Sequence, residues 1–131
     1  MPLSTYLVNK LVNHCYRNTT FTSPTTVYAV LFTSTATPTE LLAGTLTNEV
    51  TGGSYARVAL TIGAPTAGVS TASTVTFVTA TAGWGVVRYV GIADASTAGN
   101  ILSSAQLSSD VTINNGNTFQ FNSGSLTVSF I

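Results

Sequence analysis

From Ser4 to Arg17 (STYLVNKLVNHCYR) the apolar positions recur at helical spacing. Stepping about 100° per residue gathers Leu3, Leu7, Val8, Leu11, Val12 and Cys15 on one half of the wheel. Tyr6, Asn9, Lys10, Asn13, His14 and Arg17 fall on the other half. The pattern predicts a helix over 4–17, with Ser4 as N-cap and Arg17 near the C-terminus, where the helix dipole favours a cation. Its Leu/Val stripe is expected to dock on a sheet or on another subunit, with Cys15 in that stripe as a small core hydrophobe.

After Arg17 the period changes. Thr26–Thr33 (TVYAVLFT) is apolar at every second position on both faces, as in a strand covered on both sides. Residues 35–48 show no clear period and read as a long connection. Tyr55–Ile62 alternates, with Val58, Leu60 and Ile62 on one face. Residues 63–73 are small and turn-rich. Further strands are expected at 74–79, 84–93, 100–107, 110–113, 118–122 and 126–131. The clearest hairpin joins Val111–Ile113 to Thr118–Phe121 through Asn114-Asn115-Gly116-Asn117, because Asn-Gly supplies the positive φ of a tight turn.

Roughly eight strands with frequent turn signals predict a mainly β fold. The expected form is an antiparallel β-sandwich, jelly-roll-like, with one N-terminal α-helix, in a single domain over residues 1–131. Val58, Leu60, Ile62, Phe77, Trp84, Phe119, Phe121, Leu126 and Val128 are the expected core.

Charge then narrows the function. Only Lys10, Arg17, Arg57 and Arg88 oppose Glu40, Glu49, Asp94 and Asp110, while the chain holds 24 Thr and 14 Ser. Charged residues are 6% of the chain, against about 25% in an ordinary soluble domain. A surface near zero net charge favours association. Zero net charge also leaves no electrostatic footprint for nucleic acid or an anionic membrane. No stretch approaches the roughly 18 apolar residues of a membrane span.

Catalysis and metal binding find little to work with. His14 and Cys15 are the only residues of their types, so no metal cofactor is expected. The four carboxylates read as loop or strand-end residues, and Asp94 before Ala95–Gly99 reads as turn chemistry. The chain is therefore expected not to be an enzyme and to need no cofactor. Trp84 and the tyrosines could stack on sugar rings, which keeps a carbohydrate-binding module among the readings.

Several segments in order carry a family resemblance. They are Pro2–Leu7, Val27–Thr33, Gly52-Gly53-Ser54-Tyr55-Ala56-Arg57, Gly83-Trp84-Gly85, Val90–Ala95, Gly99–Leu102 and Gly124–Val128. The chain resembles a family of small tailed-bacteriophage virion proteins, often labelled tail fibre or minor tail proteins. The resemblance implies a structural role in the virion, assembled in the host cytoplasm, on the head or on the tail. A single small domain without a repetitive shaft favours a capsid decoration (cement) protein, expected as a self-associating homotrimer bound to the major capsid protein. A tail or fibre-associated subunit bound to tail proteins is the alternative. Tyr6, Lys10, His14 and Arg17, on the polar half of the N-terminal helix, are the candidate virion contacts.

Overall fold

The computed structural model describes residues 1–129. In chain order these form α1 (Thr5–Tyr16), β1 (Val27–Thr33), α2 (Pro38–Ala43), β2 (Val58–Leu60), β3 (Val69–Thr71), β4 (Val75–Thr76), β5 (Gly85–Ala93), β6 (Ile101–Ile113), β7 (Gln120–Phe121) and β8 (Thr127–Ser129). Phe130 and Ile131, which the alternation adds to the last strand, lie outside the described residues. The fold is mainly β, and every strand pair is antiparallel.

A four-stranded sheet ordered β2-β1-β5-β6 forms the centre, and β3-β8 and β4-β7 form two-stranded pairs beside it. The double apolar alternation of β1 explains its place. Ala29 and Leu31 face one side, Val30 and Phe32 the other, and all four are fully buried. On the first side they join Val90 and Ile92 of β5 against Val75, Phe77, Trp84 and Leu126. On the second they join Tyr89, Ala93 and Ile101 against Ala36 and Leu41 of α2. The sandwich therefore has a continuous sheet as one layer and two short β-pairs as the other, with helices behind the continuous sheet. Gly91 lets β5 pass Phe32: a Cβ there would lie 3.0 Å from the Phe32 ring.

Of the expected core, Leu60, Phe77, Trp84 and Leu126 are buried. Val58, Ile62, Phe119, Phe121 and Val128 pack on it half-buried.

The structure departs from the pattern in four places. The connection 35–48 contains a second helix, α2, so the N-terminal helix is not alone. Its signal is in the sequence: Thr37-Pro38-Thr39-Glu40 is a capping box with proline in the first turn, and both reciprocal bonds form. The turn-rich segment 63–73 also includes β3. The strands expected at 100–107 and 110–113 are one strand, β6. Its register against β5 shifts between Tyr89↔Gln106 and Val87↔Val111.

The expected hairpin is absent as well. Asn114–Asn117 does form a turn, with Asn117 N–H donating to Asn114 O at 3.0 Å. Yet β7 pairs with β4, not with β6. Gly116 has φ 88° while Asn115 does not have positive φ, the pattern of a type II turn rather than type I′. Type II twist splays the flanking strands, so this turn carries the chain from one layer to the other.

Leu126 is 4% exposed and Val78 is 46% exposed. Leu126→Ala should lower unfolding free energy by about 2–5 kcal/mol in chemical denaturation, while Val78→Ala should leave it within about 0.5 kcal/mol.

Candidate virion-docking surface

The N-terminal helix is set on the sheet by a short extended arm. Leu3 bridges Ser103 of β6. Ser104 N–H donates to Pro2 O at 3.2 Å, and Ser4 N–H donates to Leu102 O at 2.8 Å. Ser4 is buried, and its hydroxyl accepts from Leu7 N–H at 3.2 Å, which caps α1 as its sequence predicts. At the other end Arg17 N–H closes on Asn13 O. The helix bounds thus agree with the apolar period.

Its packing does not. Only Leu7 of α1 is buried, with Leu11 half-buried beside it. Val8 is 41% exposed, Val12 45% and Tyr16 85%. Cys15 is exposed too, so it is no core residue. The wheel defines an apolar half-cylinder, whereas the neighbouring β6 and α2 touch a narrower strip of it. The remainder of the stripe faces outward.

The four candidate contacts divide. Lys10 Nζ stands 5.5 Å from the centroid of the Tyr6 ring, a cation–π pair one helical turn apart. Arg17 is exposed and donates from Nη1 to Asn13 Oδ1 at 3.0 Å. His14 is exposed, but its Nδ1 accepts from Phe21 N–H at 3.2 Å and so anchors the chain leaving the helix. Tyr6, Lys10 and Arg17 share a face; His14 belongs to the helix-exit turn.

A second polar centre lies at the loop end of the molecule, which sequence reasoning left unassembled. Arg57 donates from Nη2 to Glu49 Oε1 at 2.7 Å and from Nε to Oε2 at 2.8 Å, and from Nη1 to Ala95 O and Ala98 O at 2.8 Å each. The two side chains are 3% and 16% exposed. Tyr55 donates its hydroxyl to Glu49 Oε2 at 3.1 Å and accepts from Leu31 N–H at 3.0 Å. Burial pushes the Tyr55 phenol far above its ordinary range, so it stays protonated and keeps donating. The bidentate bond to Glu49 raises the Arg57 guanidinium further.

A groove of about 350 Å³ opens over this centre, lined by Glu49, Thr51, Arg57, Ser96 and Thr97 among others. Its charges are already committed to one another. Trp84 and Tyr89 are buried, and Tyr55 stacks within the core at 6.2 Å from Phe77, so these rings do not offer a platform for a sugar. Among the described residues no group of three or more His, Cys, Asp or Glu is placed to hold a metal. The signal for the Glu49–Arg57 pair was present as Arg57 on an alternating segment, but its partner could not be read from spacing.

Removing one member of this pair leaves the other buried without its counter-charge. Glu49→Ala should destabilise the protein by about 3 kcal/mol, at the low end for a buried pair because the Ala95 and Ala98 carbonyls still hold Arg57. Arg88 and Asp110 pair at 2.7 Å but are open to solvent, so Arg88→Ala should leave the urea midpoint nearly unchanged.

A family described as podophage GP4 fiber I protein gp80 matches residues 2–129. No curated protein matches the chain. The family match takes in the N-terminal arm, α1, the central sheet and both β-pairs. The chain belongs to the podophage GP4 fiber I protein gp80 family, and it is a structural protein of the tailed-phage virion.

Proposed function

We propose that the chain is a structural subunit of the virion's fibre or tail apparatus, rather than a decoration protein of the head shell. The observation that carries this reading is the fibre description of a family matching residues 2–129. It favours the tail alternative over the capsid decoration that a compact, shaftless domain suggested. Subunits self-associate as homotrimers and bind neighbouring tail proteins, without nucleic acid, membrane or cofactor.

A non-enzymatic role is supported by how the carboxylates are spent. Glu49 is held by Arg57 and Tyr55, and Asp110 by Arg88. Asp94 accepts from both nitrogens of Asn100, and Glu40 serves the α2 cap and Asn48. Each one fixes a turn, a cap or an ion pair. The cations left without a carboxylate partner among the described residues are Lys10 and Arg17, on the α1 face shared with Tyr6. That face is the contact to the neighbouring virion protein.

Two measurements test this. A tag on the protein, imaged on whole virions, should mark the tail or its fibres, with a copy number set by tail symmetry. Label spread over the shell would return the protein to the decoration role and the major capsid protein as partner. The triple change Tyr6→Ala, Lys10→Glu and Arg17→Glu should leave folding intact and prevent incorporation into virions; normal incorporation would remove α1 from the contact.

A further inference from the structure

Of the asparagines in the chain, only Asn115 is followed by glycine. That pair carries a chemistry of its own. The backbone nitrogen of the residue after an asparagine can attack the side-chain amide carbon, and glycine, with no side chain, hinders the attack least. A C–N bond forms to Asn115 Cγ, the Gly116 nitrogen gives up its proton to solvent, and the side-chain nitrogen leaves as ammonia. Water then opens the resulting five-membered imide at either carbonyl, giving aspartate or its β-linked isomer. Water is the sole co-reactant, and nothing is oxidised or reduced.

Asn114, Asn115, Gly116 and Asn117 are all exposed, so water reaches the pair freely. What the fold restrains is the nucleophile. Gly116 N–H donates to Ala80 O at 2.7 Å, and Ala80 N–H donates to Asn117 O at 2.9 Å. Ala80 is 1% exposed, so these two bonds pin the turn to a fixed point of the core. Asn114 N–H donates to Asn117 Oδ1 at 2.8 Å, which closes the turn a second time. None of these bonds engages the Asn115 side chain. The backbone angles act in the same direction. Gly116 at φ 88°, after an Asn115 without positive φ, makes a type II turn, whose second residue has ψ of about +120°. That rotation carries the Gly116 nitrogen away from Asn115 Cβ, whereas the imide ring needs both on one side of the Cα–C bond.

We propose that Asn115 is the chain's site of spontaneous deamidation, and that the Ala80 clamp on its turn holds the reaction back in the folded protein. Reaction requires the turn to open, so its rate falls as the turn spends more time closed. Either product adds a carboxylate to a chain that has four acidic residues. The β-linked product also lengthens the main chain between Asn114 and Gly116 by a carbon, which takes Gly116 N–H and Asn117 O out of register with Ala80. Those two bonds continue the β4-β7 pairing, through Phe77 N–H to Phe119 O at 2.9 Å, to the point where the chain changes layers. Deamidation therefore loosens the crossing from one layer to the other.

The test uses the purified full chain in mildly alkaline buffer, folded or in concentrated urea. Peptide mapping by mass spectrometry follows conversion at each asparagine over time, with isoaspartate quantified separately. In urea, Asn115 should convert faster than any other asparagine, and Asn115→Gln should abolish that fast conversion. In the folded chain the conversion of Asn115 should be at least about tenfold slower. Asn117→Ala removes the acceptor of Asn114 N–H. It should keep the circular dichroism spectrum and the rate in urea, and raise the folded rate several-fold. If another asparagine leads in urea, the site is wrong. If folded and unfolded chains convert alike, the clamp is no restraint. An Asn117→Ala chain that folds and converts at the wild-type rate would place the restraint outside this turn.

Discussion

The hydrogen bond from Leu31 N–H to the Tyr55 hydroxyl is the point from which the rest of the architecture can be followed. β2 pairs with β1 only from Val27 to Ala29. Beyond that, Leu31 is fully buried on the same edge, where an unmet amide would be costly. Tyr55 meets it, and its hydroxyl passes the demand on to Glu49, Glu49 to Arg57, and Arg57 to the Ala95 and Ala98 carbonyls. One relay thus ties the middle of the sheet to both loops at its end. The Tyr55 ring is fixed in turn at 5.4 Å from Trp84, whose indole N–H donates to Gly53 O at 2.9 Å. A Cβ on Gly53 would lie 2.7 Å from that indole nitrogen, and its φ is +57°, so glycine is required there on both counts. The Gly-Gly-Ser-Tyr-Ala-Arg and Gly-Trp-Gly segments, far apart in sequence, are thus two halves of one contact.

Legibility in the sequence followed the range of the interaction. β1, β5 and the bounds of α1 were readable because each depends on alternation or period within its own residues. α2 was readable in principle, since Thr37 and Glu40 satisfy each other locally, but its six residues are too few for a period to show. The Asn-Gly hairpin failed because a turn dipeptide reports positive φ without fixing which strands flank it. The Glu49–Arg57 pair is a tertiary event between segments eight residues apart, with no periodic trace. The candidate surface was legible to the same degree. Tyr6 and Lys10 meet because they are four residues apart on a helix. The tie from His14 to Phe21 does not show in helical spacing, because Phe21 lies beyond the helix end.

Scarcity of charge takes on a more specific meaning in the folded chain. A protein with few ions could scatter them for solubility; this one uses most of them to close its own loops. Arg57 joins Glu49 to two turns, Arg88 and Asp110 span the register shift of β6, and Asp94 shapes the turn before β6. The outer surface is left to hydroxyls and amides, which can be desolvated against a neighbour at much lower cost than ions. Such a surface suits a subunit whose neighbours are permanent.

α1 shows how a single short element can serve that role. At about 100° per residue, Leu7 and Leu11 define a strip toward the sheet, Val8, Val12 and Cys15 a second beside it, and Tyr6, Lys10 and Arg17 a third on a different side. A helix that buried its whole apolar half on its own sheet would be more stable and would have only its polar side left to offer. Docking by Leu7, the half-buried Leu11 and the capped N-terminal arm fixes the helix in position while the second strip stays open. The incomplete docking of α1 thus leaves apolar surface that folding itself does not bury.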